Sequence, residues 1–336
     1  MLIVKSPFRI SYFGGGTDFP VWFNNHDKGM VLSTTINKYC YILTRTLPPF
    51  FSFNYRLRYY DTELVKNIRS IKHPVIKCVL HKFYKKKGGL EIIHCADLPA
   101  LSGLGASSAF TTSMIKSIFA INNLDISKKG LAEKSTTIEN DILKEYGGYQ
   151  DQYAAAYGGF NEITFQKKNV HVKVLNINEE KKKILEKNTL IFFTGVSRRA
   201  NMIEKDKIAK FSKNIDYYKE ILDICKEAKS IFLNNDKSKF LFDIANLMNL
   251  SWDLKKKLSP NVSNNFINQI YERGIKNGAL AGKILGAGGG GFIMFLTKNN
   301  NDKKKLINHF NKFKYVEVKF EKKGTEIIQK GYDEYL

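Results

Sequence analysis

The chain has 336 residues, 43% hydrophobic and 13% aromatic, which suits one large or two medium globular domains and excludes a disordered polymer. Its formal charge of +22 is the outlier, but the lysines stand in short runs (85–87, 181–183, 255–257, 303–305) without interleaved aromatics. They read as solvated surface, not as a face for nucleic acid or an anionic membrane.

No run approaches the ~20 apolar residues of a membrane helix. Lys5 and Arg9 interrupt the apolar start, so a cytoplasmic protein without a signal peptide is expected. Four scattered cysteines and six histidines show no CxxC or HExxH spacing, so neither a disulfide frame nor a zinc site is expected. In chain order, residues 2–5, 9–13, 30–36 and 39–46 are β-branched or aromatic and bounded by Gly, Pro, Asn and Asp, as strands are. Residues 62–71 and 74–84 carry apolar side chains at helical spacing, and 91–96 return to strand. Two helices are predicted over 107–121 and 127–145, the second stopped by Gly147-Gly148. Strands follow at 160–165, 170–175 and 190–194.

The Lys- and Glu-rich stretch 179–187 is the expected boundary between units 1–185 and 186–336. Beyond it lie long helices. One places Tyr218, Ile221, Leu222, Cys225, Ala228 and Phe232 on a single face; the next does so with Leu241, Ile244, Met248 and Trp252. The ending reads strand (280–285), glycine loop, strand (291–297), helix (303–313), strand (315–320), an α+β sandwich of helices on an antiparallel sheet.

Three segments carry chemistry. The first is DLPALSGLGASSA at 97–109, a strand feeding a Gly-bearing loop that opens into a helix. That order gathers backbone N–H groups and the positive end of a helix dipole, which is how proteins hold phosphate. Gly103 and Gly105 permit close backbone approach, and Ser107 and Ser108 offer hydroxyls to a phosphate oxygen or Mg²⁺. The same string would also serve as a tight turn with a Ser N-cap. The second segment is Pro7-Phe8-Arg9 followed by Gly14-Gly15-Gly16-Thr17-Asp18, and the third is GAGGGGF at 286–292. The third satisfies G-x-G-x-x-G. Yet a strand pattern follows where a dinucleotide fold needs a helix, no acid stands at 306–316, and Phe292 stands where a Walker A loop would continue.

Together these segments resemble, in order and spacing, the three signature motifs of the GHMP small-molecule kinases, and GGGTD resembles the sugar kinases within that family. The resemblance implies a two-domain fold: an N-terminal mixed α/β domain and a C-terminal ferredoxin-like α+β sandwich. It also implies ATP and Mg²⁺ as co-substrate and cofactor. The expected reaction is phosphorylation of the anomeric hydroxyl of D-glycero-α-D-manno-heptose 7-phosphate, feeding nucleotide-activated heptose for a bacterial surface polysaccharide. A fucokinase-like enzyme on an unphosphorylated sugar and a non-catalytic sugar sensor on the same fold are the alternatives. The expected partners are ATP and the sugar phosphate, with no nucleic acid or membrane, and a homodimer is left open.

Residue by residue, the ATP cradle is expected at Ser102, Gly103, Leu104, Gly105, Ala106, Ser107 and Ser108, with Gly288 and Gly289 of the third loop beside it. By resemblance, the serine pair faces Mg²⁺, Ser107 before Ser108, helped by Glu139, and Asp151 lies at the acceptor hydroxyl. Glu139 would otherwise be a solvated helix acid and Asp151 a helix cap. Arg9 occupies the position of a family cation beside that aspartate, to offset charge on the transferred group. Gly15, Gly16, Thr17 and Asp18 are assigned to the sugar, because a carboxylate can accept from two vicinal hydroxyls. Lys38, Arg198 and Arg199 are candidates for the 7-phosphate by charge and by resemblance.

Overall fold

The computed structural model describes residues 1–26, 28–167, 169–196 and 200–331. Near-continuous apolar runs make Leu2–Phe13 (β1) and Gly29–Leu47 (β2) one long antiparallel pair in which Arg9 faces Thr35. Each is a single strand where two were expected. A register shift between Pro7 and Phe8 lets β1 continue past a residue that cannot donate.

The short helix Pro20–Phe23 (α1) fills the connection between them. Tyr55–Arg58 (β3) and Thr62–Val65 (β4) form a hairpin, with β3 parallel to Gly89–Ala96 (β5). The helix expected over 62–71 is therefore absent. Cross-strand pairing takes 62–65, and the Asn67 side chain caps a single 3₁₀ turn at Ile68–Ser70.

Helix Pro74–Phe83 (α2) opens on proline, whose missing N–H costs nothing at that position. Helix Ala106–Ile121 (α3) is buried nearly all round and lies on β1 and β2. Helix Lys128–Thr136 (α4) runs into a π-helical turn over Thr137–Ile142. It stops earlier than predicted, because Lys144 adopts φ +55 and ends the helix in a left-handed residue. Gly147 and Gly148 lie beyond that stop. Helix Gln150–Tyr157 (α5) and strands Phe160–Gln166 (β6) and Asn169–Val174 (β7) follow, β6 bridging β2 and β7.

The stretch read as a boundary is helix Glu179–Asn188 (α6). After it come Thr189–Phe193 (β8), helices Ala200–Ala209 (α7), Ile215–Leu233 (α8), Phe240–Leu258 (α9) and Asn265–Lys276 (α10), then Ala279–Ile284 (β9), Phe292–Thr297 (β10), Asn300–His309 (α11) and Lys314–Val316 (β11). The sheet order β11-β8-β10-β9, antiparallel throughout, is the ferredoxin-like arrangement that was expected. The apolar faces read on α8 and α9 are buried as predicted. The chain then returns to the first sheet. Phe320–Glu321 (β12) pairs with β2 and Glu326–Lys330 (β13) with β1, so the end of the chain completes the sheet in which it begins.

Two lysines of the runs read as surface are not solvated side chains, one fully buried and one half-buried against a cavity. Lys181 is fully buried and donates from Nζ to Ile231 O at 2.8 Å and to Asn234 O and Oδ1 at 2.6 Å, satisfying the C-terminal carbonyls of α8. Lys255 faces the cavity described below. Among the described residues no helix is long and apolar enough to cross a membrane.

Candidate active site

One cleft gathers all three motifs, between the loop entering α3, the segment leading into α5, and the glycine loop between β9 and β10. Residues 101–105 reverse direction through positive φ at Leu101, Gly103 and Gly105, and Gly105 caps α3 from a left-handed conformation. A Cβ on Gly103 would lie 2.4 Å from Leu285 O, and one on Gly286 would lie 2.5 Å from Gly103 Cα. The two glycine motifs thus interlock, which accounts for bare backbone in both.

Ser102, Gly103, Gly105, Ala106, Ser107 and Ser108 line the cleft, as does Gly288. Ser102 is buried and its hydroxyl has no partner among the described residues. Leu104 instead sends its side chain into the core while its carbonyl accepts from Arg9 N–H at 3.0 Å. Gly289 is not part of the lining; its N–H donates to Val262 O at 2.8 Å.

Arg9 is 4% exposed and grips Asp151 with two parallel bonds, Nε to Oδ1 at 2.7 Å and Nη2 to Oδ2 at 2.8 Å. Its Nη1 donates to Gly103 O at 2.7 Å, so one guanidinium ties the acid to the phosphate loop. Asp151 sits in the first turn of α5, keeps a quarter of its side chain exposed, and borders the cleft.

Glu139 lies on the π-helical turn, a device that re-aims a side chain and recurs at functional sites. It is 3% exposed, and its Oε2 accepts from Ser108 Oγ at 2.8 Å and from Gln152 Nε2. Burial, then the charge of Glu145, pushes its carboxyl up to about 7. Its Oε1 has no hydrogen-bond partner among the described residues. No cluster of three His, Cys, Asp or Glu able to cage a metal occurs among those residues. A buried carboxylate oxygen without a hydrogen bond, on a side chain that lines the cleft beside a serine hydroxyl, nevertheless fits Mg²⁺, which takes one or two carboxylates, keeps waters and completes its shell with phosphate. Ser107 lines the same wall and is more exposed than Ser108.

In the same cleft Asp18 is 2% exposed, accepting from Gly16 N–H at 2.8 Å, Gln150 Nε2 at 3.0 Å and Gln150 N–H at 3.3 Å. Burial foremost, with Asp151 and Glu204 nearby, raises its carboxyl to about 6. A Cβ on Gly148 would fall 1.8 Å from Asp18 Oδ2, so the second glycine of the pair makes room for this carboxylate rather than ending a helix. Gly15 and Gly16 border the cleft. Thr17 does not: it is fully buried, its hydroxyl donating to Gly14 O and Met30 O and accepting from Met30 N–H.

Lys38, on β2, does not line the cleft, and Arg198 and Arg199 lie outside the described residues. Among the described residues the cations that border it are Arg9, Lys207, Lys255 and Lys283. The sequence reading passed over these three lysines together with Gln150 and Gln152. The signals were there: Lys255 continues the apolar face Ile244, Met248, Trp252 of α9, and Lys283 interrupts an otherwise apolar strand.

The chain is similar to known proteins. The N-terminal domain profile of the GHMP kinases matches residues 70–159, and the C-terminal profile matches residues 240–316. A D-glycero-alpha-D-manno-heptose 7-phosphate kinase of Campylobacter jejuni is 32% identical over 299 residues, spanning 84% of this chain and 86% of that protein. A bifunctional fucokinase/GDP-fucose pyrophosphorylase of Arabidopsis thaliana is 24% identical over 85% of this chain and 29% of its own length. Among solved structures, a D-glycero-D-manno-heptose 1-phosphate kinase from Bacteroides thetaiotaomicron superposes with a TM-score of 0.80 at 23% identity, covering 99% and 100% of the two chains. By sequence, fold and site together, the chain belongs to the GHMP kinase family.

Proposed function

We propose that this chain transfers the γ-phosphoryl group of ATP to the anomeric hydroxyl of D-glycero-α-D-manno-heptose 7-phosphate, giving the 1,7-bisphosphate and ADP, in the supply of activated heptose for surface polysaccharide. The observation that carries the reading is the bidentate Arg9–Asp151 pair, anchored to Gly103 O and bordering the same cleft as Asp18. The name of the Campylobacter relative supports the choice of acceptor.

The N–H groups of the loop and first turn of α3 receive the nucleotide's phosphates. Asp18 accepts from sugar hydroxyls. Asp151 accepts a hydrogen bond from the attacking hydroxyl through lone pairs that Arg9 leaves free, and takes its proton as the new P–O bond forms and the bond to the ADP oxygen breaks. In a loose, metaphosphate-like transition state little deprotonation is needed early, so orientation carries much of the effect. Arg9 holds Asp151 in place and lies close enough to offset negative charge on the transferred group. Glu139 and Ser108, with Ser107 beside them, would hold Mg²⁺, which neutralises phosphate charge when bound.

A coupled ADP-release assay across sugars and sugar phosphates, with phosphorus NMR of the product, tests this. Turnover with heptose 7-phosphate and a new anomeric phosphate resonance are expected. Turnover with fucose alone would reject the acceptor and keep the kinase.

A further inference from the structure

Two lysines border the cleft with their ammonium groups on backbone carbonyls: Lys283, 6% exposed, and the half-buried Lys255. Lys255 Nζ donates to Gly286 O and, at 3.4 Å, to Ile284 O; Lys283 Nζ donates to Tyr12 O at 2.8 Å and Ser11 O at 3.2 Å. Among the described residues no carboxylate is in ion-pair contact with either. Lys207, by contrast, is paired with Glu204 at 3.1 Å and Arg9 with Asp151. A buried charge satisfied only by carbonyl dipoles is costly, and the cost shows: burial pulls both ammonium groups down, Lys283 to about 8.

Lys181 shows what a purely structural buried lysine looks like in this protein. It caps the end of α8 with three oxygens and borders no cavity with the active-site residues. Lys255 and Lys283 differ in facing the cleft, and hydroxyls accompany them. Ser251, one turn before Lys255 on α9, is 6% exposed and borders the cleft. Ser11 is 7% exposed, borders it too, and its Oγ has no hydrogen-bond partner among the described residues. Ser11, and with it Lys283, stands beside the GGGTD segment, while Lys255 reaches the same cleft from the glycine loop that packs on Gly103. A Cβ built on Gly15 would lie 3.8 Å from Ser11 Oγ and 3.6 Å from Gln150 Nε2, the amide that holds Asp18.

We propose that Lys255 and Lys283, with the Ser11 and Ser251 hydroxyls, form the subsite for a phosphate that the acceptor already carries, and so select phosphorylated over free sugars. This rests on the acceptor-side reading of Asp18 given above. It replaces Lys38 in that role with residues that border the cleft. The dianion completes two cations and an orphaned hydroxyl at once, which a neutral hydroxymethyl group cannot do.

The test compares heptose 7-phosphate with unphosphorylated heptose, and further sugar phosphates with their free sugars, for the wild type, Lys255→Met and Lys283→Met. Thermal melts confirm that each variant is folded. Each substitution is expected to lower kcat/KM for the phosphorylated acceptor at least 30-fold more than for its free counterpart, chiefly through KM, with KM for ATP moving less than about threefold. Inorganic phosphate should compete with the acceptor in the wild type and lose that competition in the variants. Equal losses on both acceptors, or a change centred on KM for ATP, overturn the subsite. A different sugar phosphate showing the same lysine dependence upholds the subsite and rejects only the heptose reading. A wild-type enzyme that turns over free sugars alone overturns the subsite while leaving the kinase assignment intact.

Discussion

Glu139 should destabilise the empty protein at neutral and alkaline pH, and neutralising it should reveal by how much. Its carboxyl releases a proton near 4.5 in the unfolded chain and near 7 in the folded one, because burial and then Glu145 oppose its charge. The folded state therefore holds this proton more tightly. The group's contribution to stability is most favourable below pH 4.5, declines as pH rises through the window 4.5–7, and levels off above it. A displacement of about 2.5 pH units corresponds to roughly 3 kcal/mol.

Glu139→Gln removes that slope. The amide oxygen can still accept from Ser108, while the contact with Gln152 is weakened at a cost of about 1 kcal/mol. Urea unfolding without divalent cations, at pH 5 and pH 8, should then show the variant gaining on the wild type by roughly 2–3 kcal/mol between the two conditions. Taking the difference between proteins cancels every other titrating group. A variant-minus-wild-type difference that does not change with pH would refute the reasoning. The same substitution should raise the Mg²⁺ concentration needed for half-maximal activity at least about tenfold, since the orphaned oxygen is lost.

Three further outcomes are expected. Asp151→Asn should lower kcat more than about 100-fold while nucleotide affinity, measured by equilibrium binding, stays near normal, because the amide cannot take the acceptor's proton. Gly148→Ala should raise KM for the acceptor at least about tenfold with a smaller effect on KM for ATP, since its methyl group would fall 1.8 Å from Asp18 Oδ2 and displace that carboxylate. Because Asp18 titrates near 6, KM for the acceptor should fall as pH rises from 5 to 7, and a flat profile would remove its role as an ionised acceptor of sugar hydroxyls.

Much of this molecule could be read along the chain. The three glycine motifs, the apolar faces of α8 and α9, and the βαββαβ order of the second sheet are local patterns, set by side-chain period and by the few residues that tolerate tight backbone turns. Arg9, Asp151, Ser108 and Glu139 are singled out through the resemblance to the kinase family, and the structure brings them to one cleft. Local period misled where a longer-range partner was stronger. Residues 62–65 pair with β3 despite their helical spacing, and left-handed Lys144 ends a helix that a glycine pair was expected to end. The lysines show the limit most sharply. Lys255 differs from its neighbours only in continuing an apolar helix face, and nothing in sequence says that the face ends at a cleft or that Lys181 caps a helix from inside. Whether an ammonium meets water, a carbonyl or a substrate depends on which distant elements pack around it, and only the tertiary structure decides that.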